Sequence, residues 1–297
     1  MHCRHAYHPG MRPTIPRLPR PGSLLPPLLL ALLLLPGCAA LPSAPPPLDA
    51  AWQAQLERWP AVDALLLGEQ HDAAAHQRWQ QGTVRWLAER GRLAALVVEM
   101  ADAGQGTDGL PPDAGAAQVR AALRWNGDAW PWQRYAPVVM AAVAAGVPVR
   151  GGNLPRSRMR AAMQDAALDA HLPPAALALQ REAIAEGHCG LLPQDRLMPM
   201  VRVQLARDAS MAQAVLDARQ SGRTVLLVAG FGHVRRDLGV PTWLPAWFTS
   251  KTAIAQAGQA PSAIELEANY IHATPALAPQ DYCAPLRGRG SGAAPMK

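Results

Sequence analysis

Residues 62–72 read VDALLLGEQHD, an apolar run from Val62 to Leu67 that breaks into Gly68-Glu69-Gln70-His71-Asp72. A short continuous apolar run closed by a glycine reads as a buried strand. The pattern recurs three times: LAALVV at 93–98 runs into Glu99-Met100, Val147 to Arg150 into Gly151-Gly152-Asn153, and TVLLVA at 224–229 into Gly230-Phe231-Gly232-His233. Between these runs lie helical stretches. Ala50 to Trp59 reads as a short helix, and Ala73 to Arg90 spaces Trp79, Val84, Trp86 and Leu87 among polar residues. A short helix ends at Leu123 and another runs from Pro137 to Ala145. Residues 155–220 are helical in three pieces, broken by Pro173-Pro174 and by 187–193. Ala253 to Gln256 and Ala263 to Ala268 read as two further strands. Strands alternating with helices predict an α/β fold with a mainly parallel sheet and flanking helices. The stretch at about 155–220 exceeds one crossover and is expected to form a helical cap or insertion. No internal repeat is found.

The 297 residues are 49% hydrophobic and 17% charged, which excludes global disorder and fits one core-burying unit. Four of the 28 basic residues, Arg4, Arg12, Arg17 and Arg20, lie in a leader with no acidic residue, so the remainder is close to neutral. With no run of like charges and no groove-reading motif, no nucleic-acid partner is expected. The leader contains SLLPPLLLALLLLPG at 23–37, shorter than the roughly 20 residues of a spanning helix, and reads as a secretion signal. Leu35-Pro36-Gly37-Cys38 resembles the bacterial lipobox, so 1–37 is read as a lipoprotein signal peptide and Cys38 as the lipidated residue. An ordinary signal peptide cleaved near Ala40 is the alternative. Residues 38–49 then form a lipidated cysteine and proline-rich tether, 50–283 the folded domain, and 284–297 a tail with the composition of disorder. The expected location is the cell envelope, lipid-anchored, with Ala39 after the cysteine pointing to the outer membrane of a Gram-negative bacterium. Cys189 and Cys283 remain in an oxidising compartment, where they can pair. No cysteine spacing suggests structural zinc.

Polar residues gather at the carboxyl ends of the four strands: Glu69 and His71, Glu99, Asn153, and His233. Ligands of open parallel sheets bind in the crevice beyond those ends. Glu69 and His71 are two apart in extended chain and project to the same side. Taken singly, such residues are more often structural, and Asp72, just before a predicted helix, reads as its N-cap. Together, Glu69, His71, Glu99 and His233 point to a functional crevice. Two histidines and two carboxylates suit a divalent metal, with Glu69, His71 and His233 as ligands, or acid–base work without one. On the predicted helix 194–220, Asp208 follows a stripe containing Leu197, Val201, Leu205 and Val215. If that face is buried, Asp208 needs a partner, either Arg156 or a crevice histidine. If the helix is rotated, Asp208 is solvated. Finally, Trp125, Trp130, Trp132 and Tyr135 crowd a predicted loop. Flat rings there suit a porphyrin, and a tyrosine phenolate can ligate ferric haem. The alternative is that the tryptophans close the core.

LLLGEQHD at 65–72, VVEM at 97–100, the segment 125–135, GNLPR at 152–156, GHCGLLP at 187–193, QLARDASMA at 204–212 and AGFGHVRRDLGVP at 229–241 occur in this order. As a set they resemble the ChaN-like haem-binding uptake lipoproteins, a branch of the superfamily that includes Tiki-type proteases and erythromycin-esterase-like enzymes. The resemblance implies an α/β core with a helical cap, a lipid anchor and a role in haem or iron uptake. It also implies haem held through tyrosine, with two haems stacked face to face across a homodimer. Tyr135 lies inside a matching segment and is taken as the iron ligand, whereas Tyr270 and Tyr282 lie beyond the matched region. Trp130, Trp132, His71, His233, Asn153, Arg156 and Asp208 complete the expected haem site. Hydrolases of the superfamily use positions corresponding to Glu69, His71 and His233. The alternative function is therefore a hydrolase, metal-dependent or not, in which His71 or His233 activates water and Glu69 or Glu99 orients it. A catalytically silent envelope lipoprotein is the third reading.

Overall fold

A computed structural model describes residues 48–259 and 267–287. The leader, Cys38, nearly all of the tether and residues 288–297 lie outside them. The described strands are β1 (Ala64–Glu69), β2 (Leu93–Asp102), β3 (Val149–Asn153), β4 (Thr224–Gly230), β5 (Ser250–Ala257) and β6 (Tyr270–Thr274). They form one sheet in the order β3-β2-β4-β1-β5-β6, with every neighbouring pair parallel. The chain lays β2 and β3 on one side of β1, returns to insert β4 between β1 and β2, and then crosses to β5. That reversal of strand order opens a crevice at the carboxyl ends of β1, β2 and β4.

All six residues of β1 are buried, because helices cover both faces of the sheet. The two-residue alternation sends Leu65 and Leu67 into one layer and Leu66 into the other. In the first layer they join Trp52 of α1 (Ala50–Arg58), Trp79 and Leu87 of α2 (Ala74–Glu89), Val119 of α3 (Ala116–Ala122), and Val138 and Val139 of α4 (Trp132–Ala144). In the second, Leu66 joins Met211 and Val215. Each such leucine, fully buried, contributes about 1.5–3 kcal/mol. The cap consists of α5 (Met159–Gln164), α6 (Pro174–Gly187) and the first half of α7 (Gln194–Asp217). It has a small core of its own around Leu172, Val201, Leu205 and Leu238. The second half of α7 carries Met211 and Val215 and packs on the sheet. One helix thus serves both cap and crossover, and no separate domain boundary is drawn inside it. Among the described residues no helix is long and apolar enough to cross a membrane.

Several expectations are corrected. β2 extends to Asp102, so Glu99 lies within the strand; pairing with β4 ends at Val98↔Val228, and Glu99 emerges where β2 parts from β4. α4 begins at Trp132, so Tyr135 sits on a helix and not a loop, and Pro137 in the second turn removes only one backbone donor. The edge strand is Tyr270–Thr274, not 263–268. Residues 263–266 lie outside the described residues, and Ala268 is not in a strand. α8 (Phe231–Val234) follows β4 directly. Residues Ala284–Arg287, assigned from composition to the disordered tail, form a helical turn, α9. It follows Cys283, which is bonded to Cys189.

Candidate functional site

Glu69 closes β1, and its side chain is buried at 1% exposure. A buried carboxylate must be neutralised or fully hydrogen-bonded. Here, Oε1 accepts from the Tyr135 hydroxyl at 2.7 Å and from His71 Nδ1 at 2.9 Å, while Oε2 accepts from the amides of Gln77 and Gln80, each at 2.7 Å. Gln77 and Gln80 are three apart on α2 and face the same way.

His71 stands at the mouth with its side chain 39% exposed, and Arg134 holds its backbone carbonyl at 2.6 Å. Its Nε2 is 3.9 Å from Glu99 Oε2. The same oxygen accepts the Gly230 N–H at 2.7 Å, and a Cβ on Gly230 would come within 2.9 Å of the His71 ring. Glycine at 230 therefore lets β4 approach the histidine. On the far side of Glu99, His233 Nε2 is 3.4 Å from Oε1, and His233 Nδ1 is 2.5 Å from Asp208 Oδ1. The result is an alternating chain of acid and imidazole: Glu69, His71, Glu99, His233, Asp208.

The charges follow from this order. Burial opposes the His233 imidazolium, but Glu99 and Asp208 outweigh it and lift the group to about 10. Burial likewise opposes the Glu99 carboxylate, yet His233, His71 and the Gly230 N–H hold it down to about 2. Asp208 is pushed up to about 6, by burial first and by the Glu99 charge. His71 is raised: burial acts against its charge, and the Glu69 hydrogen bond and the Glu99 charge prevail. His233 is thus a buried cation between two acids, and His71 is the member of the chain that meets solvent.

The structure brings together Glu69, His71, Glu99, His233 and Asp208 as one crevice. Asp208 finds His233, a crevice histidine, while Arg156 is exposed in the turn after β3. Trp130 meets the His71 ring edge-on with centroids 4.8 Å apart, placing it at the mouth. Trp132 packs instead against buried Trp125, at 5.0 Å. Asn153 is buried at the end of β3, with no described contact to the histidine–carboxylate chain. Tyr135, expected as the iron ligand, is not open to solvent here: it is 2% exposed, its hydroxyl donates to Glu69, and burial together with the Glu69 charge raises it, opposing the phenolate. Among the described residues no three potential ligands converge as a metal site. Glu69, His71 and His233 do not form the expected metal set, because both Glu69 oxygens are already occupied and Glu99 lies between the imidazoles. Asp72 does not cap α2. The N-cap residue is Ala73, and Asp72 accepts from the Tyr282 hydroxyl at 2.5 Å. Sequence reasoning missed Gln77, Gln80 and Tyr282. The two amides had a detectable signal, polar residues three apart on the buried side of an amphipathic helix. Tyr282 had none. A separate cavity of about 640 Å³, between α5, α7 and the loop after β2, includes none of the crevice residues.

A family model described as haem-binding uptake, Tiki superfamily, ChaN matches residues 55–244, well over half of the chain. The chain belongs to the ChaN family. Among solved structures, this ChaN-family chain is similar to ChaN of Campylobacter jejuni, whose structure is described as showing cofacial haem binding. The identity is 20% and the TM-score 0.59, over 74% of this chain and 90% of that one. At that identity the likeness establishes the fold. A Bacillus cereus protein aligns at 12% identity and TM-score 0.35, over 67% of this chain and 66% of its own. No curated protein matches the chain.

Proposed function

We propose that this ChaN-family chain is a haem-binding lipoprotein of the bacterial cell envelope, serving haem or iron uptake. The observation that carries the reading is the aromatic rim of the crevice. Tyr282, 54% exposed, bonds Asp72 next to His71, and Trp130 meets the His71 ring edge-on. Flat apolar rings around a polar cleft suit a flat ligand with an apolar face and a polar centre. Tyr282 replaces Tyr135 as the phenol assigned to iron. Its hydroxyl is exposed and donates to Asp72, a bond that raises the phenol and that an incoming iron would displace. Tyr270 is packed against Trp52, with centroids 4.8 Å apart. Haem supplies the iron, and the chain supplies the phenol, the aromatic rim and the His71 edge. As the family resemblance implies, two copies would face one another with haems stacked between their crevices. Acylation of Cys38 would anchor the chain in the outer membrane, and the proline-rich residues 41–48 would act as spacer.

Titrating the full chain with hemin tests the reading. A saturable Soret band is expected, altered by Tyr282→Phe and unaltered by Tyr135→Phe. Absence of any band removes the haem reading, and a band indifferent to Tyr282→Phe removes that ligand.

One observation favours a second reading, hydrolysis. His71 meets solvent with Nδ1 held by Glu69, the arrangement of an oriented acid–base histidine. A screen of ester and peptide substrates against the chain and its His71→Ala variant tests it. Turnover that survives the substitution, or none at all, removes it.

A further inference from the structure

The segment after β6 is tied to the crevice in an unusual way. β6 is parallel to β1, so it ends at the sheet edge that carries Glu69 and Gly230. β5 separates β6 from β1, and Tyr282 nevertheless reaches Asp72, just beyond the end of β1. The chain from 275 to 282 therefore crosses the end of β5 to the crevice mouth. The next residue, Cys283, is bonded to Cys189 in the loop between α6 and α7 of the cap. The segment is a strap from sheet edge to cap, attached at β6, Asp72 and Cys189.

What holds it is chiefly covalent. Apart from half-buried Cys283, every residue from 275 to 287 is exposed, so no buried apolar side chain anchors the strap. The Tyr282–Asp72 bond is exposed as well, and exposed segments with few buried contacts open at little free-energy cost. On the cap side, Cys189 has φ 59° and Gly190 φ 66°. A cysteine in the left-handed region is disfavoured, and that local turn is where the loop presents its sulfur. The disulfide is itself only half-buried on both sides, within reach of a thiol.

We infer that the Cys189–Cys283 disulfide is a redox latch for the strap, holding Tyr282 against Asp72 at the crevice mouth, one residue from His71, when oxidised. A dithiol reductant breaks the S–S bond, each cysteine sulfur gains one electron and one proton, and the reductant's two sulfurs become a disulfide. The freed strap leaves the mouth, and the crevice releases its ligand faster. The consequence for the ligand rests on the haem reading; the consequence for His71 does not.

The experiment uses the full chain in three forms: oxidised; reduced with dithiothreitol, alkylated with iodoacetamide and freed of reductant; and a Cys189→Ser/Cys283→Ser double variant. Hemin loss to excess apomyoglobin should be at least tenfold faster from the last two forms. Without hemin, acylation of His71 by diethyl pyrocarbonate, read by peptide mass spectrometry, should be at least threefold faster in them. Should the double variant fail to fold, the alkylated wild type, checked by circular dichroism, supplies the comparison. Equal His71 reactivity in oxidised and alkylated chain overturns the latch, whether or not hemin binds. Faster His71 acylation in a chain that binds no hemin supports the latch and defeats the haem reading instead.

Discussion

Replacing Glu99 with glutamine tests the electrostatic core of the crevice. The glutamine keeps the shape and can still accept the Gly230 N–H, now 2.7 Å from Oε2, but it removes the charge between His71 and His233. The size of the effect follows from the carboxyl group itself. Its fall from 4.5 to about 2 in the folded chain corresponds to about 3 kcal/mol of folding stability at neutral pH. That agrees with the roughly 3–5 kcal/mol lost when one partner of a buried ion pair is removed. For a domain of this size, about 3 kcal/mol lowers the melting temperature by roughly 6–12 °C. The sign with pH is fixed: a depressed carboxyl contributes stability above its unfolded value, 4.5, and loses it as pH falls through about 2. Thermal unfolding of wild type and Glu99→Gln, followed by circular dichroism from pH 7 down to pH 2, should therefore show two curves that converge in acid. Equal melting temperatures at pH 7 would refute the reasoning, because they would mean that Glu99 carries no net favourable charge interaction in the fold.

Asp208→Asn should lower the His233 titration point from about 10 by at least one pH unit in an NMR titration. Because that folded value is raised, the imidazolium stabilises the chain fully below 6.5 and its contribution is lost as pH rises through 10; the variant should lose it at lower pH, and alkaline unfolding curves that coincide would contradict this. Tyr135→Phe removes a donor from buried Glu69 and should cost about 1.5–3 kcal/mol in urea unfolding. An unchanged midpoint would mean that His71, Gln77 and Gln80 satisfy the carboxylate without it. Gly68→Ala would place a Cβ 2.5 Å from Val234 Cγ2 and 2.9 Å from the Phe231 backbone, and should cost about 1–3 kcal/mol through overpacking where β1 meets α8. Wild-type stability in that variant would show that α8 moves freely against β1.

The strands at 64–69, 93–102 and 224–230 were legible because they are buried on both faces, and a short unbroken apolar run has few other ways to fold. β6 was not. Its five residues, YIHAT, form a half-exposed edge, and such a strand has no continuous apolar signature. Tyr135 was misplaced for a related reason: Pro137 looked like a helix start, whereas the sheet below rewards an earlier beginning that buries Tyr135 and sets its hydroxyl on Glu69. Gly68, Glu69, His71, Glu99 and His233 could be nominated by position alone, since each follows or ends an apolar run. Which acid meets which imidazole could not, because Asp208 and His233 are 25 residues apart and the pairing depends on how α7 is rotated on the sheet.

The amino-acid order by itself determined the parallel sheet, the helical cap and the edge of the sheet where polar chemistry collects, because those follow from local periodicity and from the need to bury apolar surface. Only the tertiary structure decided that Tyr135 is a buried donor, that Asp72 serves Tyr282, and that Cys189 and Cys283 meet across 94 residues. Such partners are chosen by packing geometry, and packing is a property of surfaces brought together from distant parts of the chain.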